Sequence, residues 1–260
     1  MNLEEIKRYW EDAAERFAPG KVTPTSRDPF LAELETANVL AHLRPEMSVL
    51  EIGCGDGAHT VRYASLVRRL VGVDVAAGMV ARAERRAEAA GLPNATFVTG
   101  SALDLAASFG GGQFDAVVSQ RCLINLAEWR HQQEAISQIH RVLRPGGLLL
   151  LSEGFQGELE ALNAVRTELG LTPIRVVAFN RNLDRRTFED FVAERFEIVD
   201  RRDYGAYLFL SRVFHPLAVL PAEPIHDSAL NEAAMRVARA VPMPDLARFS
   251  YDLFYALRKR

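Results

Sequence analysis

The segment Val49–Gly57, VLEIGCGDG, contains the strongest fold signal in this 260-residue chain. Its apolar residues predict a buried strand, and Glu51 places a carboxylate near the end of that strand. Gly53, Gly55 and Gly57 then leave a loop with few side chains. Such a loop lets a ligand lie directly on backbone N–H groups at the start of a helix.

Three interpretations of this loop follow from the residues. Glu51 is able to face a sugar hydroxyl or an ammonium, which suits a nucleoside carrying an amino acid, such as S-adenosylmethionine, better than a pyrophosphate. Gly53, Gly55 and Ala58 also satisfy the dinucleotide-binding pattern G-x-G-x-x-G/A. A plain turn between a strand and a helix would use glycines as well.

The composition is ordinary for a globular protein, with 48% hydrophobic and 25% charged residues. A net charge of −3 predicts no general attraction to nucleic acid or to anionic membranes. Cys54 and Cys122 are too few for a disulfide scaffold or a zinc cluster, so no metal site is expected. The acid-rich N-terminus and the lack of a long apolar run predict a cytoplasmic location and no membrane partner.

The pattern along the chain predicts one domain, 1–260, of class α/β. Residues 1–44 are predicted to form an N-terminal helical cap, with helices at 3–17 and about 30–43 and a loop at 18–30. Residues 45–203 then alternate strands with helices. The strands are predicted at about 48–52, 69–74, 95–99, 114–119, 148–152 and 195–202. Because most of these strands are uniformly apolar, we expect a Rossmann-like doubly wound sheet, mostly parallel and covered on both faces.

The C-terminal part departs from this alternation. In residues 249–257, every second side chain is apolar and on one face: Phe249, Tyr251, Leu253, Tyr255 and Leu257. This pattern predicts a seventh, antiparallel strand at or near a sheet edge, so that 248–260 completes the core. The connection 204–247 is too long for a plain loop. We interpret it as an insertion that forms a lid and, together with the N-terminal helix, covers the acceptor pocket. Its apolar residues also suit a subunit contact, so a homodimer is the alternative.

Asp74 ends the second predicted strand and is expected beside Glu51, because the carboxyl ends of adjacent parallel strands meet at one edge. It is able to accept hydrogen bonds from both ribose hydroxyls, with Val75 and Met79 forming a wall for adenine. The alternatives are a helix N-cap for Asp74 and core packing for Met79.

Five segments, in this order, resemble class I S-adenosylmethionine-dependent methyltransferases: VLEIGCGDG, VGVDVAAGMV, VTGSALDL, FDAVVSQRCLINL and RVLRPGGLLLLSEG. The resemblance covers roughly 45–155. The Pro-Gly-Gly turn in the last segment is not expected of dinucleotide dehydrogenases.

The resemblance implies S-adenosylmethionine as the cofactor and assigns a set of site residues. The methionine and ribose would lie along Gly53, Cys54, Gly55 and Gly57, and the ribose would be bound by Asp74. The adenine would be flanked by Ser101 and Ala102. The methionine moiety or the substrate would lie near Gln120 and Arg121. Tyr9 and Glu51 complete the expected cofactor-binding set. The family commonly has aspartate where this chain has Ser101, which weakens the expected contact with the adenine amino group.

The expected reaction is methyl transfer to a small molecule, with a hydroxyl of a secondary metabolite or sugar favoured and C- or N-methylation as alternatives. The segment Ser119–Cys122 lacks the Asn-Pro-Pro-Tyr of many amino-methylating nucleic-acid enzymes, and Glu153 alone cannot provide a divalent metal's oxygen ligands. A non-catalytic, S-adenosylmethionine-binding regulatory protein is the alternative function.

Glu153 is the first candidate for a proton acceptor, because it ends the fifth strand beside the expected cleft. His215 and His226 are second candidates, and a structural role is the alternative for all three. Six aromatic residues are candidates for lining the acceptor pocket, with core packing as the alternative: Tyr9, Trp10, Tyr204, Tyr207, Phe209 and Phe214.

Overall fold

The computed structural model describes residues 2–16 and 28–260. These residues form a seven-stranded sheet with the order β3-β2-β1-β4-β5-β7-β6. The strands are β1 Ser48–Ile52, β2 Arg69–Asp74, β3 Ala95–Thr99, β4 Phe114–Gln120, β5 Leu143–Gly154, β6 Phe196–Asp203 and β7 Asp252–Lys259. β1 to β5 pair in parallel, and β7 pairs antiparallel with both β5 and β6. The predicted fold class is confirmed, including the antiparallel final strand.

Helices cover both faces of this sheet. They are α1 Leu3–Arg16, α2 Pro29–Leu40, α3 Thr60–Ala64, α4 Ala77–Ala89, α5 Leu105–Phe109, α6 Trp129–Val142, α7 Gln156–Glu168, α8 Arg185–Ala193, α9 Gly205–Phe209, α10 His215–Val219 and α11 Ala229–Ala240. Short 3-10 turns occur at Leu123–Asn125 and Pro244–Phe249, and a π-helical turn at Leu210–Phe214. The predicted helical position 17 and most of the predicted loop, 18–27, lie outside the described residues. No helix in the described part of the chain is long and apolar enough to cross a membrane.

Adjacent residues of the central strands enter two different apolar layers. In β1, Leu50 and Ile52 belong to the layer that contains α6 and α8, whereas Val49 belongs to the layer that contains residues of α2 and α11. This arrangement explains why the strand is apolar at consecutive positions, as expected of a sheet with helices on both faces.

The start of the last strand was predicted wrongly. Phe249 and Tyr251 precede β7, because the 3-10 turn Pro244–Phe249 occupies part of the predicted strand. Within β7, Phe254 and Tyr255 are both fully buried and lie in opposite layers. The strand is therefore internal, second from the edge, and does not have one solvent-exposed face.

The insertion 204–247 is joined to α2 by a buried polar cluster. The Asp28 carboxylate caps α2 by accepting hydrogen bonds from the N–H groups of Phe30 and Leu31, at 3.1 and 3.0 Å. It also accepts a hydrogen bond from the Tyr207 hydroxyl at 2.7 Å and forms an ion pair with Arg212. The insertion therefore packs on the α2 side of the sheet.

Candidate active site

A cavity lies at the carboxyl ends of β1, β2 and β4, where the strand order reverses and ligands commonly bind in open α/β sheets. Ten of the predicted cofactor-binding residues line it: Glu51, Gly53, Cys54, Gly55, Asp74, Val75, Ser101, Ala102, Gln120 and Arg121. Nine further residues complete the lining: Leu3, Ile6, Trp10, His59, Val73, Gly100, Cys122, Asn125 and Leu126. The carboxyl ends of three neighbouring strands thus meet at one site.

The glycines of the first loop also serve contacts within the protein. Gly53 and Gly57 have φ values of +63° and +77°, in the left-handed region that glycine adopts without strain. A Cβ at Gly53 would lie 2.7 Å from the sulfur of Cys122, and a Cβ at Gly57 would lie 2.9 Å from the Cα of Ala83 in α4. Gly57 does not line the cavity, so the structure shows this glycine packing against a helix and not against a ligand site.

Asp74 links the glycine loop to the segment before α4. Its two carboxylate oxygens accept hydrogen bonds from the N–H groups of Gly55 and Ala76, each at 2.9 Å. Burial raises the pKa of Asp74, although these hydrogen bonds oppose the shift. Asp74 is not the N-cap of α4, because Ala76 has that position and Glu11 of α1 accepts from the N–H groups at the helix start.

Glu51 is a buried carboxyl group on the cavity wall. It accepts a hydrogen bond from the Thr60 hydroxyl at 2.5 Å, and burial raises its pKa to about 8. The nearby Asp74 charge raises this pKa further in the same direction. At neutral pH the Glu51 carboxyl is therefore mainly protonated in the cofactor-free protein.

The end of β4 carries a polar cluster that includes Glu35 of α2, a residue missed from the sequence. Gln120 accepts a hydrogen bond from the Tyr63 hydroxyl at 2.7 Å and donates one to Glu35 at 3.0 Å. The Arg121 guanidinium lies 3.4 Å from the same Glu35 oxygen. Burial, partly opposed by the Arg121 charge, raises the pKa of Glu35 to about 7.

Arg121 has an unusual backbone conformation for an L residue. Its φ is +52°, and it is the one non-glycine residue with positive φ in the described part of the chain. Its N–H donates to the Ser152 carbonyl at 2.8 Å, and its carbonyl accepts from the Asn125 side chain at 2.7 Å. Strained positions of this kind cluster at functional sites, where the surroundings hold them in place.

Helix α1 covers the cavity. Leu3, Ile6 and Trp10 form part of the lining, and the Trp10 indole donates a hydrogen bond to Asn125 Oδ1 at 3.2 Å. Glu11 fastens the helix to α4, as described above. In the described part of the chain, no residue of 204–247 lines the cavity, because this insertion packs against α2 and the sheet. In the described residues, α1 therefore contributes to the cavity lining and the insertion does not.

The two predicted catalytic residues lie outside the cavity lining. Glu153 is fully buried and accepts hydrogen bonds from the Ser119 hydroxyl and from the N–H groups of residues 122–124, at 2.8–3.2 Å. Burial raises its pKa to about 7. His215 is buried in the insertion, where its Nδ1 lies 2.8 Å from the Asn231 side-chain oxygen. Both side chains have structural partners, in line with the alternative interpretation.

Several other predicted residues also lie away from the cavity. Met79 is fully buried beside Ala13 and Ala14, which fits core packing. Tyr9 is 38% exposed and its ring contacts Trp10 and Phe179. The aromatic residues of the insertion do not line the cavity: Tyr204 and Tyr207 are buried in the core, Phe209 packs on Phe249, and Phe214 is exposed.

Residues 49–147 match the family model described as "Methyltransferase domain". An uncharacterized methyltransferase of Synechocystis sp. is 37% identical over 109 residues, which cover 42% of this chain and 48% of that protein. The demethylmenaquinone methyltransferase of Thermus thermophilus is 38% identical over 104 residues, which cover 40% of this chain and 44% of that protein. The match shows a methyltransferase domain over residues 49–147, which agrees with the resemblance to class I S-adenosylmethionine-dependent methyltransferases. The similarity spans less than half the length of each of these two relatives.

Solved structures of low sequence identity have the same fold over most of this chain. The N-methyltransferase NodS of Bradyrhizobium japonicum, solved with S-adenosylhomocysteine, is 18% identical, covers 98% of each chain and has a TM-score of 0.58. The [4+2]-cyclase SpnF is 24% identical, covers 88% of this chain and 80% of that one, and also has a TM-score of 0.58.

The methyltransferase domain at residues 49–147 supports S-adenosylmethionine as the predicted cofactor, and the residues around the cavity suit it. Asp74 borders the cavity, and its carboxylate is a hydrogen-bond acceptor for hydroxyl donors. Val73, Val75 and Ala102 supply an apolar strip beside it. The Ser101 hydroxyl oxygen accepts a hydrogen bond from the Leu103 N–H at 3.1 Å, so this side chain also organises its own loop.

Proposed function

We propose that this methyltransferase transfers the methyl group of S-adenosylmethionine to a small-molecule acceptor, with a hydroxyl group as the favoured site. One observation carries the proposal. A single cavity combines the predicted cofactor-binding side chains with an apolar cover from α1 and a polar group at the end of β4. An apolar wall with a few convergent polar groups is typical of sites for small molecules.

The residues of this chain would hold and align the reactants. The cofactor supplies an activated methyl group on a sulfonium. Asp74 and the glycine loop would hold the nucleoside, and α1 would exclude water from the reacting groups. Alignment of this kind provides much of the rate enhancement of a transfer between two bound molecules. In this proposal Glu153 is a positioning residue, because it holds the backbone at 122–124 next to the cavity.

The proposal is tested with a panel of phenols, sugars, amines and carbon nucleophiles, incubated with the protein and S-adenosylmethionine. Formation of S-adenosylhomocysteine together with a methylated product, identified by mass spectrometry, supports methyl transfer and names the acceptor class. Calorimetric titration with S-adenosylhomocysteine and with NAD accompanies the panel. Binding of S-adenosylhomocysteine without any turnover would favour the regulatory alternative, and binding of NAD alone would contradict the proposal.

A further inference from the structure

Arg121 is the one arginine or lysine among the residues that line the cavity in the described part of the chain. Its side chain is 23% exposed, so part of it is accessible from the cavity, whereas the side chain of its ion-pair partner Glu35 is fully buried. A guanidinium carries several N–H donors, and a charged group that is largely removed from water needs partners for them. A ligand in the cavity therefore meets a positive charge at Arg121.

The contacts of Arg121 within the protein use few of its donors. The guanidinium lies 3.4 Å from Glu35 Oε2, which is longer than the about 2.7–2.9 Å of a charge-assisted hydrogen bond. The same Glu35 oxygen already accepts a hydrogen bond from the Gln120 amide at 3.0 Å. Within residues 2–16 and 28–260, the Arg121 guanidinium has no other ion pair and donates no hydrogen bond. Most of its N–H groups are thus free to bind a ligand.

The carboxyl groups around Arg121 are buried, and their burial favours the neutral form. Glu35, Asp252 and Glu153 act on the Arg121 charge, and none of them lines the cavity. Burial raises the pKa of Glu35 and of Glu153 to about 7, and it also raises the pKa of Asp252. On the cavity wall, Glu51 is mainly protonated at neutral pH, as described above. The Arg121 charge therefore remains able to attract an anion from the cavity.

The strand order places Arg121 on the side of the cavity that the cofactor's ribose would leave open. Asp74 ends β2, the glycine loop follows β1, and Arg121 follows β4, and these strands are neighbours in the order β2-β1-β4. A cofactor with its ribose at Asp74 and its methionine along Gly53 and Gly55 would extend toward β4. The acceptor would then lie on the Arg121 side of the cofactor.

We propose that the Arg121 guanidinium binds a carboxylate group of the methyl acceptor and so selects acidic acceptors over neutral ones. This inference rests on the proposed function and narrows the acceptor to molecules that carry a carboxylate as well as the reacting group. A planar guanidinium matches a carboxylate with a pair of parallel hydrogen bonds. The hydrogen bonds of the Arg121 backbone to Ser152 and Asn125 fix the point from which the side chain extends.

A single negative charge suits this site better than a phosphate group does. The lining supplies one guanidinium in the described part of the chain, and buried acids lie close to it. A phosphate monoester would bring a second negative charge toward those acids without a second cation to balance it. The expected ligand is therefore a carboxylate.

Matched pairs of acceptors test this selection with the wild-type protein. The probes are 3- and 4-hydroxybenzoate, each compared with the corresponding hydroxybenzamide, which keeps the shape and removes the charge. We expect kcat/KM to be about 10- to 100-fold higher for the acid, the equivalent of a hydrogen bond to a charged group. Equal kcat/KM for the acid and the amide, or a preference for the amide, would overturn the proposal.

Three variants assign the selection to Arg121. Arg121→Gln removes the charge and Arg121→Lys keeps it, and both variants place a non-glycine residue at the same positive φ. Arg141→Gln is the matched control, because Arg141 is an exposed arginine of α6 that does not line the cavity. Thermal unfolding of each variant shows that it is folded.

The preference for the acid should disappear in Arg121→Gln, persist in part in Arg121→Lys and stay unchanged in Arg141→Gln. The cofactor also carries a carboxylate, so the affinity for S-adenosylhomocysteine distinguishes the two sources. It should stay within about twofold of the wild type in Arg121→Gln, because the proposal assigns the charge to the acceptor. A loss of more than about tenfold would assign Arg121 to the cofactor's carboxylate and overturn the proposal.

NMR of the arginine side chains provides a measurement that needs no turnover. In the complex with S-adenosylhomocysteine, benzoate should shift the Arg121 Nε–H signal, which is identified by its absence from the spectrum of Arg121→Lys, and benzamide should not. The same shift with both compounds, or no shift with benzoate, would disprove the carboxylate site. Failure of every acceptor despite a shift specific to benzoate would instead count against the proposed function and support the site.

Discussion

Asp74 joins two parts of the cavity wall. Its carboxylate oxygens accept hydrogen bonds from the N–H groups of Gly55 and Ala76, which hold the glycine loop against the segment before α4. Asp74 also borders the cavity, and a carboxylate is an acceptor for hydroxyl donors. We propose that it binds the ribose hydroxyls of the cofactor.

Replacement of Asp74 by alanine is therefore expected to weaken the binding of S-adenosylhomocysteine by about 1.5–3 kcal/mol, the range for a hydrogen bond to a charged group. Isothermal titration calorimetry measures this loss. Asp104→Ala is the control, because Asp104 is exposed, does not line the cavity and makes no capping hydrogen bond at α5. Equal affinity of Asp74→Ala and the wild type would show that the carboxylate does not contact the ligand.

Glu51 predicts how cofactor affinity depends on pH. Burial raises its pKa to about 8 in the cofactor-free protein, and a bound ammonium would favour the ionised carboxylate. Since the ionised fraction rises between pH 6 and pH 8, the affinity for S-adenosylhomocysteine should rise over this range, by about five- to fiftyfold. The Glu51→Gln variant should lose this dependence. A wild-type affinity that stays constant, or that falls as the pH rises, would contradict the prediction.

At the scale of elements, we infer that α1 covers the site. Glu11 accepts hydrogen bonds at the start of α4, Arg82 of α4 donates one to the Ala14 carbonyl, and Trp10 donates one to Asn125. Asn125 lines the cavity, and α4 follows Val75, which also lines it. We therefore expect the contacts of α1 to influence the rate at which the cofactor enters and leaves.

Loss of the Trp10 hydrogen bond should speed cofactor release. Trp10→Phe removes the indole N–H and keeps an aromatic ring, so the dissociation rate of S-adenosylhomocysteine should rise by about 2- to 10-fold, the equivalent of one neutral hydrogen bond. Stopped-flow fluorescence or surface plasmon resonance measures this rate. Tyr9→Phe is the control, because Tyr9 lies next in the chain but does not line the cavity. The same dissociation rate in both variants would argue against α1 as the cover.

At the scale of the whole molecule, the sequence predicted the sheet and most of the cavity lining, because buried parallel strands leave a local pattern. It did not predict how the surrounding helices pair with them. Glu35, His59 and Asn125 reach the site through contacts between segments far apart in the chain. The insertion was interpreted as a lid because of its aromatic residues. No sequence pattern distinguishes aromatic residues that line a pocket from those that pack in a core. The structure shows that those aromatic side chains lie outside the cavity.

The ion pair of Arg212 and Asp28 fastens this insertion to the remainder of the molecule. Burial raises the pKa of Asp28, but the Arg212 charge and several hydrogen bonds outweigh this effect and lower it overall. Arg212→Leu should reduce the free energy of unfolding by about 3–5 kcal/mol, because it removes the Arg212 guanidinium from a buried ion pair. Chemical denaturation measures the loss. It should shrink as the pH falls and Asp28 becomes protonated in the variant.

The control is Arg236→Leu, which breaks the exposed Arg236–Glu232 pair in α11 and should cost less than about 1 kcal/mol. Similar losses in the two variants would show that the buried pair does not stabilise the fold more than a surface pair.

The position of β7 between β5 and β6 also determines when the strands of the sheet are able to pair during protein synthesis. β6 is an edge strand whose partner in the sheet is β7, yet β7 comes after the whole insertion in the chain. A ribosome adds about 5–20 residues per second. For several seconds the new chain would therefore contain β1 to β6 without β7. During this time β5 has an unpaired edge and β6 has no neighbouring strand. Open strand edges invite pairing with other chains, so this interval is when the nascent protein is most exposed to aggregation and to binding by chaperones.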